Sequence, residues 1–261
     1  MFALMLGCAT PEFPSGPRLV SLHDTTTEII VGLGRANELV AIMEPEFLSL
    51  EALAAVEGVP RLGAPVAAEA LIALHPTAVI GTEDVPQHQP ELTNFPSSTW
   101  IDPAGLDGLW SSIATVGTAI GAPTDTYVAT LKARVPVPEA GDLPIFVYDC
   151  CEPPFTMGGR APLTELIARL GARNVFADLD QDWGRVSWEA AMVTKPRLVI
   201  IDEYDGEGDA IGKIEVVRQR LGDVPTVVLP LGLALEGPRT LDAIDVLRPA
   251  ILAARATEAV P

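Results

Sequence analysis

The feature that most constrains the fold is that the sequence is written twice. Residues 18–42 read as a short apolar run, a polar loop, a helix, a glycine and a second apolar run, and residues 145–177 repeat that order. Both predicted helices carry a glutamate, an apolar stretch and Leu-Gly: Glu28-Ile-Ile-Val-Gly-Leu-Gly and Glu165-Leu-Ile-Ala-Arg-Leu-Gly. Glycine just past a helix end adopts the left-handed conformation that terminates it. A second pair follows in the same order. Glu69-Ala-Leu-Ile-Ala-Leu-His-Pro76 precedes Thr77-Ala-Val-Ile80, and Glu189-Ala-Ala-Met-Val-Thr-Lys-Pro196 precedes Arg197-Leu-Val-Ile-Ile201. Proline closes each helix, and the β-branched run after it has the length and composition of a buried strand.

Helices alternating with single apolar strands build parallel sheets covered on both faces. The expected fold class is therefore α/β, with two Rossmann-like lobes. Residues 105–141 show no strand pattern and read as two helices, 106–120 and about 125–134, broken at Gly121-Ala-Pro123. The expected organisation is a tether at 1–17, an N-terminal α/β lobe at 18–104, a helical connector at 105–141 and a C-terminal α/β lobe at 142–261. Ligands of open α/β sheets sit beyond the carboxyl ends of the strands. That rule selects loops 21–27 and 81–88 in the first lobe, and 149–159 and 203–208 in the second. Facing lobes would line one cleft with them, a favoured position for a small-molecule site.

The charge balance removes one class of partner. With 35 acidic against 17 basic residues the net charge is −18. Such a surface repels nucleic acid, and no Lys/Arg cluster offsets it. Catalytic signatures are also missing: there is no G-x-S-x-G, P-loop or H-E-x-x-H pattern, and Gly32-Leu-Gly34 falls at a helix end rather than its start. The enzymatic alternative is a thiol-dependent hydrolase pairing Cys150 with His23. Asp149 and Glu152 beside the thiol oppose the lowered pKa it needs. A binding protein rather than an enzyme is expected, with no cofactor of its own.

Residues 1–7 (MFALMLG) are apolar and precede Cys8, and a polar, Pro-rich stretch follows. This resembles the end of a bacterial lipoprotein signal, whose cysteine is lipidated after cleavage, although it lacks a basic n-region. A frayed apolar terminus is the alternative. Cys150 and Cys151 then remain, and adjacent cysteines pair only with strain, so two free thiols are expected.

The chain also resembles a known family. Arg18-Leu-Val-Ser-Leu, Thr27-Glu28-Ile, Leu33-Gly34 and Glu38-Leu-Val-Ala look like the opening of the helical-hinge substrate-binding proteins of ABC importers, which serve cobalamin, haem and iron–siderophore complexes. Pro153-Pro-Phe-Thr-Met-Gly-Gly159, Arg173-Asn-Val-Phe-Ala-Asp178, Trp183-Gly-Arg-Val-Ser-Trp-Glu189 and Gly237-Pro-Arg239 fit the same pattern in order, and Pro153-Pro-Phe-Thr with Trp183 is most similar to the vitamin B12-binding branch. The resemblance spans about residues 18–255. It implies a monomer on the periplasmic side, or the outer face of the cytoplasmic membrane, that passes a cobalt- or iron-containing chelate to an ABC permease. It also implies one docking carboxylate per lobe, at Glu69 and Glu189. Cys150-Cys151 and Leu62-Gly63 depart from the vitamin B12-binding pattern, which has small or polar residues and an aromatic there.

Each candidate residue has a plainer alternative. Glu69 and Glu189 suit a first helical turn through the macrodipole alone. His23 could ligate a metal through one ring nitrogen with Asp24 orienting the other, while Thr25-Thr-Thr-Glu28 is also a capping-box pattern. Cys150, Cys151 and Met157 could hold a soft metal or pack as buried sulfurs. Phe155 and Trp183, read as loop residues, could pack on a flat ligand or fill a core. Leu233, within Leu231-Gly-Leu-Ala-Leu235, is expected by family position to edge the cleft. Glu83 and His88 suit a solvated loop, or converge with His23 to bind a bare transition metal.

Overall fold

A computed structural model describes residues 16–203 and 209–257. Cys8 and residues 204–208 of the predicted fourth cleft loop lie outside them. The first half contains β1 (Leu19–Ser21), α1 (Asp24–Gly32), β2 (Leu39–Met43), α2 (Leu50–Ala55), β3 (Arg61–Leu62), α3 (Ala68–Leu74), β4 (Ala78–Thr82), α4 (Asp84–His88) and β5 (Ser98–Ile101). All pairings are parallel, in the order β3-β2-β1-β4-β5. The connector follows as α5 (Gly105–Ile120) and α6 (Asp125–Lys132).

The second half contains β6 (Leu143–Tyr148), β7 (Phe155–Met157), α7 (Pro162–Arg169), β8 (Ala172–Asn174), β9 (Trp183–Arg185), α8 (Trp188–Thr194), β10 (Leu198–Asp202), α9 (Asp209–Leu221), β11 (Thr226–Leu229) and α10 (Ala243–Ala256). Its parallel sheet runs β11-β10-β6-β8. Read in chain order within each half, this matches β5-β4-β1-β2. The textual repeat is thus a structural one. Its helix ends repeat too: α3 and α8 close on His75 and Lys195, at φ 46° and 49°, each followed by proline. A left-handed non-glycine residue is locally unfavourable, and the proline behind it bars continuation of the helix.

The halves diverge at the third strand. The counterpart of β3 is β9, which leaves the parallel sheet and pairs antiparallel with β7. Phe155 and Trp183 therefore lie on a two-stranded ribbon and not in the loops expected for them. Pro153-Pro154 and Gly158-Gly159 at the ends of β7 hid the strand, since both residue types signal turns.

The connector is packed rather than strung between the halves. Leu106, Leu109, Ile113 and Val116 of α5 share one apolar cluster with Ile29 and Ile30 of α1, Ile145 and Val147 of β6, and Leu166 and Ile167 of α7. The repeat-matched glutamates fasten neighbouring elements. Glu28 Oε1 accepts the Ser49 N–H (2.7 Å) just before α2, and Glu165 Oε2 accepts the Leu106 N–H (3.1 Å) in the first turn of α5. Orphan N–H groups at a helix start need such acceptors, and Ala104, which precedes α5, has no side chain to supply one.

Candidate functional site

The loops beyond the strand ends enclose two adjoining cavities. One, of about 260 Å³, takes His23, Thr25, Glu83 and Asp84 from the first half and Arg160 and Asp182 from the second. The other, of about 210 Å³, takes Phe47 from the first half and Asp149, Phe155, Asp202, Leu231 and Leu235 from the second. Trp183 and Glu236 line both and form the shared wall. The cleft thus runs between the lobes.

The ribbon positions its aromatic side. Phe155 pairs with Arg185, and Met157 with Trp183. Phe155 and Trp183 are diagonal neighbours, with ring centroids 5.7 Å apart and planes at 21°, a geometry that cross-strand aromatics favour. Gly158 and Gly159 allow the turn beneath them. A Cβ at either would lie 2.2 Å from the Gln181 carbonyl or 2.1 Å from that of Ala177. Their N–H groups bond Asp182 O and Leu179 O, both at 2.8 Å. Trp183 Nε1 donates to Glu236 Oε1 (2.8 Å), and Thr25 Oγ1 donates to the Glu236 carbonyl (3.1 Å) across the lobes. Arg239 donates to the carbonyls of Phe47 and Leu231, tying the two walls of the smaller cavity.

In the first lobe the geometry corrects several expectations. The N-cap of α1 is His23, not Thr25: His23 Nδ1 accepts the Thr25 N–H at 3.1 Å. Nδ1 as acceptor leaves the hydrogen on Nε2, so the ring meets the cavity as a neutral donor and not as a metal ligand. Burial holds its pKa below the ordinary value, partly offset by Asp84, Asp24 and Glu46. Asp24 does not orient it. Its Oδ2 accepts the N–H groups of Glu46 (3.0 Å) and Phe47 (2.7 Å) and so places Phe47. Glu83 reaches the cavity, but His88 is exposed and its Nδ1 lies 2.9 Å from the Asp84 carbonyl. Among the described residues no group of three or more His, Cys, Asp or Glu is placed to hold a metal ion.

The sulfurs are corrected likewise. Cys150 and Cys151 are bonded to each other, so neither is a free thiol, a thiolate ligand or a nucleophile. Met157 is fully buried and belongs to the cluster against which Trp183 packs; it backs the aromatic wall instead of meeting the cleft. Leu233 also turns inward, leaving Leu231 and Leu235 on the cavity edge.

Acidic groups dominate the electrostatics. Asp202, 6% exposed, ends β10 with its Oδ1 lacking a hydrogen-bond partner. Burial first, and Asp149 second, push its pKa up to about 7. Burial also raises Glu236 to about 7. Behind Asp202, Lys213 contacts the Asp209 carboxylate, donates to the Asp202 carbonyl (2.7 Å) and lies 3.8 Å from Asp149. In the larger cavity Arg160 bridges the lobes, 2.6 Å from Asp102 and 3.7 Å from Asp182. Sequence reasoning missed Phe47, Arg160, Asp202 and Glu236. Asp202 carried a signal, as a carboxylate ending an apolar strand; Glu236 did too, as the charge that interrupts an apolar run.

Glu69 and Glu189 stand exposed in the first turns of α3 and α8, away from both cavities. The Glu189 carboxyl is held below its usual range by its own N–H and the Ser187 hydroxyl. One turn on, each helix exposes an apolar residue: Ile72 and Met192.

No protein-family model matches the chain. A vitamin B12-binding protein of Pectobacterium carotovorum is 25% identical over 256 residues, covering 91% of this chain and 88% of that one. A periplasmic binding protein from Veillonella parvula superposes with a TM-score of 0.77 at 22% identity, covering 92% of both chains. An Fe³⁺-hydroxamate transport protein from Saccharomonospora viridis gives 0.69 at 21%, covering 90% and 94%. The two-lobed α/β fold is that of the periplasmic binding proteins.

Proposed function

We propose that this chain, a homologue of the vitamin B12-binding proteins, is the substrate-binding component of an ABC importer, capturing a metal chelate outside the cytoplasmic membrane and delivering it to the permease. The observation that carries the reading is the inter-lobe cleft with Trp183 and Glu236 as its shared wall and Phe155 stacked beside them. Flat aromatics beside a few aimed polar groups are what a site for a large planar or macrocyclic ligand needs. The cobalt or iron belongs to the ligand. Chemistry on it is not part of the reading, because the candidate thiol nucleophile is bonded to its neighbour.

Glu69 and Glu189 are the proposed permease contacts. They occupy matching helices of the two lobes, are exposed, and each has an exposed apolar residue one turn away. Anchoring through Cys8 is part of the same proposal.

Titration with hydroxocobalamin, haemin, ferrioxamine B and ferric enterobactin, followed by tryptophan quenching, tests the ligand class. Saturable quenching by at least one is expected, and silence from all four rejects it. Docking is tested by uptake through the cognate permease: Glu69→Ala with Glu189→Ala should abolish uptake while ligand affinity stays unchanged.

A further inference from the structure

The smaller cavity says more about the ligand than its size does. Among the described residues its charged lining is wholly acidic, Asp149, Asp202, Glu203 and Glu236, without Lys or Arg. The remaining walls are apolar, chiefly Phe47, Phe155, Trp183 and Leu235. An acidic cluster on an open surface is ordinary, but here Asp149 and Asp202 are buried and Glu203 and Glu236 partly so. Asp202 lines the cavity at 6% exposure with Oδ1 unpartnered, and a buried carboxylate oxygen without a donor is costly to maintain. Lys213 does not supply that donor, since its bonds go to the Asp209 carboxylate and the Asp202 main chain. Glu236 accepts from Trp183 Nε1 at Oε1 and from its own N–H.

We propose that the cleft selects chelates that are cationic or bear N–H donors, seating that group on Asp202 and Glu236 against the Phe155–Trp183 pair, and rejects carboxylate-bearing or otherwise anionic chelates. The inference rests on the binding-protein reading above and narrows its substrate class. Its physical basis is differential: a positive or donor group completes the unpartnered carboxylate, whereas an anionic one meets a partly dehydrated site whose charged lining is acidic and offers it no cation.

A pH signature accompanies the selectivity. Asp202 faces Asp149, Glu236, Asp209 and Lys213, and Glu236 faces Asp182 and Asp84. With both carboxyls raised to about 7, the empty site is partly protonated at neutral pH. A cation binds the ionised form, so its affinity rises between pH 6 and 8.

The experiment compares four purified chelates at fixed ionic strength: ferrioxamine B, cationic through its pendant ammonium, and hydroxocobalamin, cationic in the aqua form it takes at neutral pH and below, against haemin with two propionates and ferric enterobactin with three negative charges. The pH dependence is read on ferrioxamine B, whose charge does not change across the window. At least one of the first pair should bind about 100-fold more tightly than either of the second. Asp202→Asn with Glu236→Gln, kept isosteric and checked by thermal melting, should weaken the cationic ligand at least tenfold and flatten its pH dependence. Asp202→Asn alone should give part of both effects. Haemin or ferric enterobactin binding as well as the cations overturns the charge inference but leaves the importer reading standing. Silence from all four removes both.

Discussion

The two halves share a strand order and differ in what they place at the strand ends. In the first, only Leu22 and His23 separate β1 from α1, and the third strand stays in the sheet. In the second, residues 149–161 intervene between β6 and α7, and the third strand is drawn out to pair with β7. The same divergence appears at a single position: β4 ends on Thr82, whereas its counterpart β10 ends on Asp202. The repeated parts are helix ends and strand registers, which build a scaffold. The parts that broke the repeat carry the aromatics and the buried carboxylates, which build a site. Recognition is therefore expected to be unequal between the lobes, although both line the cleft.

The sharpest way to break that comparison is on affinity. Trp183→Ala removes the stacked partner of Phe155 and the donor to Glu236, and should weaken the tightest-binding chelate about 100-fold, near 2.7 kcal/mol. His23→Ala in the first lobe should cost about threefold. Comparable losses at the two positions, read by calorimetric titration, would falsify the asymmetry.

Stability gives the next test. The Asp202 carboxyl is raised from 3.8 to about 7 in the folded protein. Between those values the folded state holds more protons than the unfolded one, so this group's contribution to stability falls as pH rises through the window and stays low above it. Asp202→Asn should thus stabilise the protein on the order of 2 kcal/mol at pH 8, about 5 °C in melting temperature, with no gain below pH 4. Thr82→Asn, at the matching position, should show no such pH-dependent gain.

Smaller effects separate the matched glutamates. Glu165→Ala leaves the Leu106 N–H without its acceptor and also loses Arg169, at about 1–2 kcal/mol in chemical denaturation. Glu28→Ala should cost about half of that, because burial already raises the Glu28 pKa and its removal relieves a desolvated charge. At the low end, Glu69→Ala and Glu189→Ala should change stability by less than about 0.5 kcal/mol, as exposed first-turn residues do. A larger loss would assign them a structural duty that a docking surface does not require.

Most of the fold was legible because the repeat rests on strong local signals. His-Pro and Lys-Pro at the ends of α3 and α8 stop the helices whatever surrounds them. The ribbon was not legible: Phe155, Thr156 and Met157 form too short a run, and a pairing over nearly thirty positions leaves no local trace. The cap of α1 was misread because Thr25-Thr-Thr-Glu28 fits a capping box, yet His23, two residues earlier, supplies the acceptor. Met157 illustrates a further limit. Sequence placed a sulfur near the cleft, but Met157 shares its strand face with Phe155 and is covered by Trp183, its cross-strand partner, so its burial depends on a pairing that no local pattern shows.

The sharing of α5 between the halves has a consequence for the molecule as a physical body. Neither half, expressed alone, retains the surface that covers Leu109 and Ile113. A chain whose text divides cleanly in two should therefore fold and melt as one cooperative unit. Bending it would mean shearing a close-packed interior, so under the proposed reading the permease would sense occupancy at the rim of the cleft, with little change in the protein's outline to announce it.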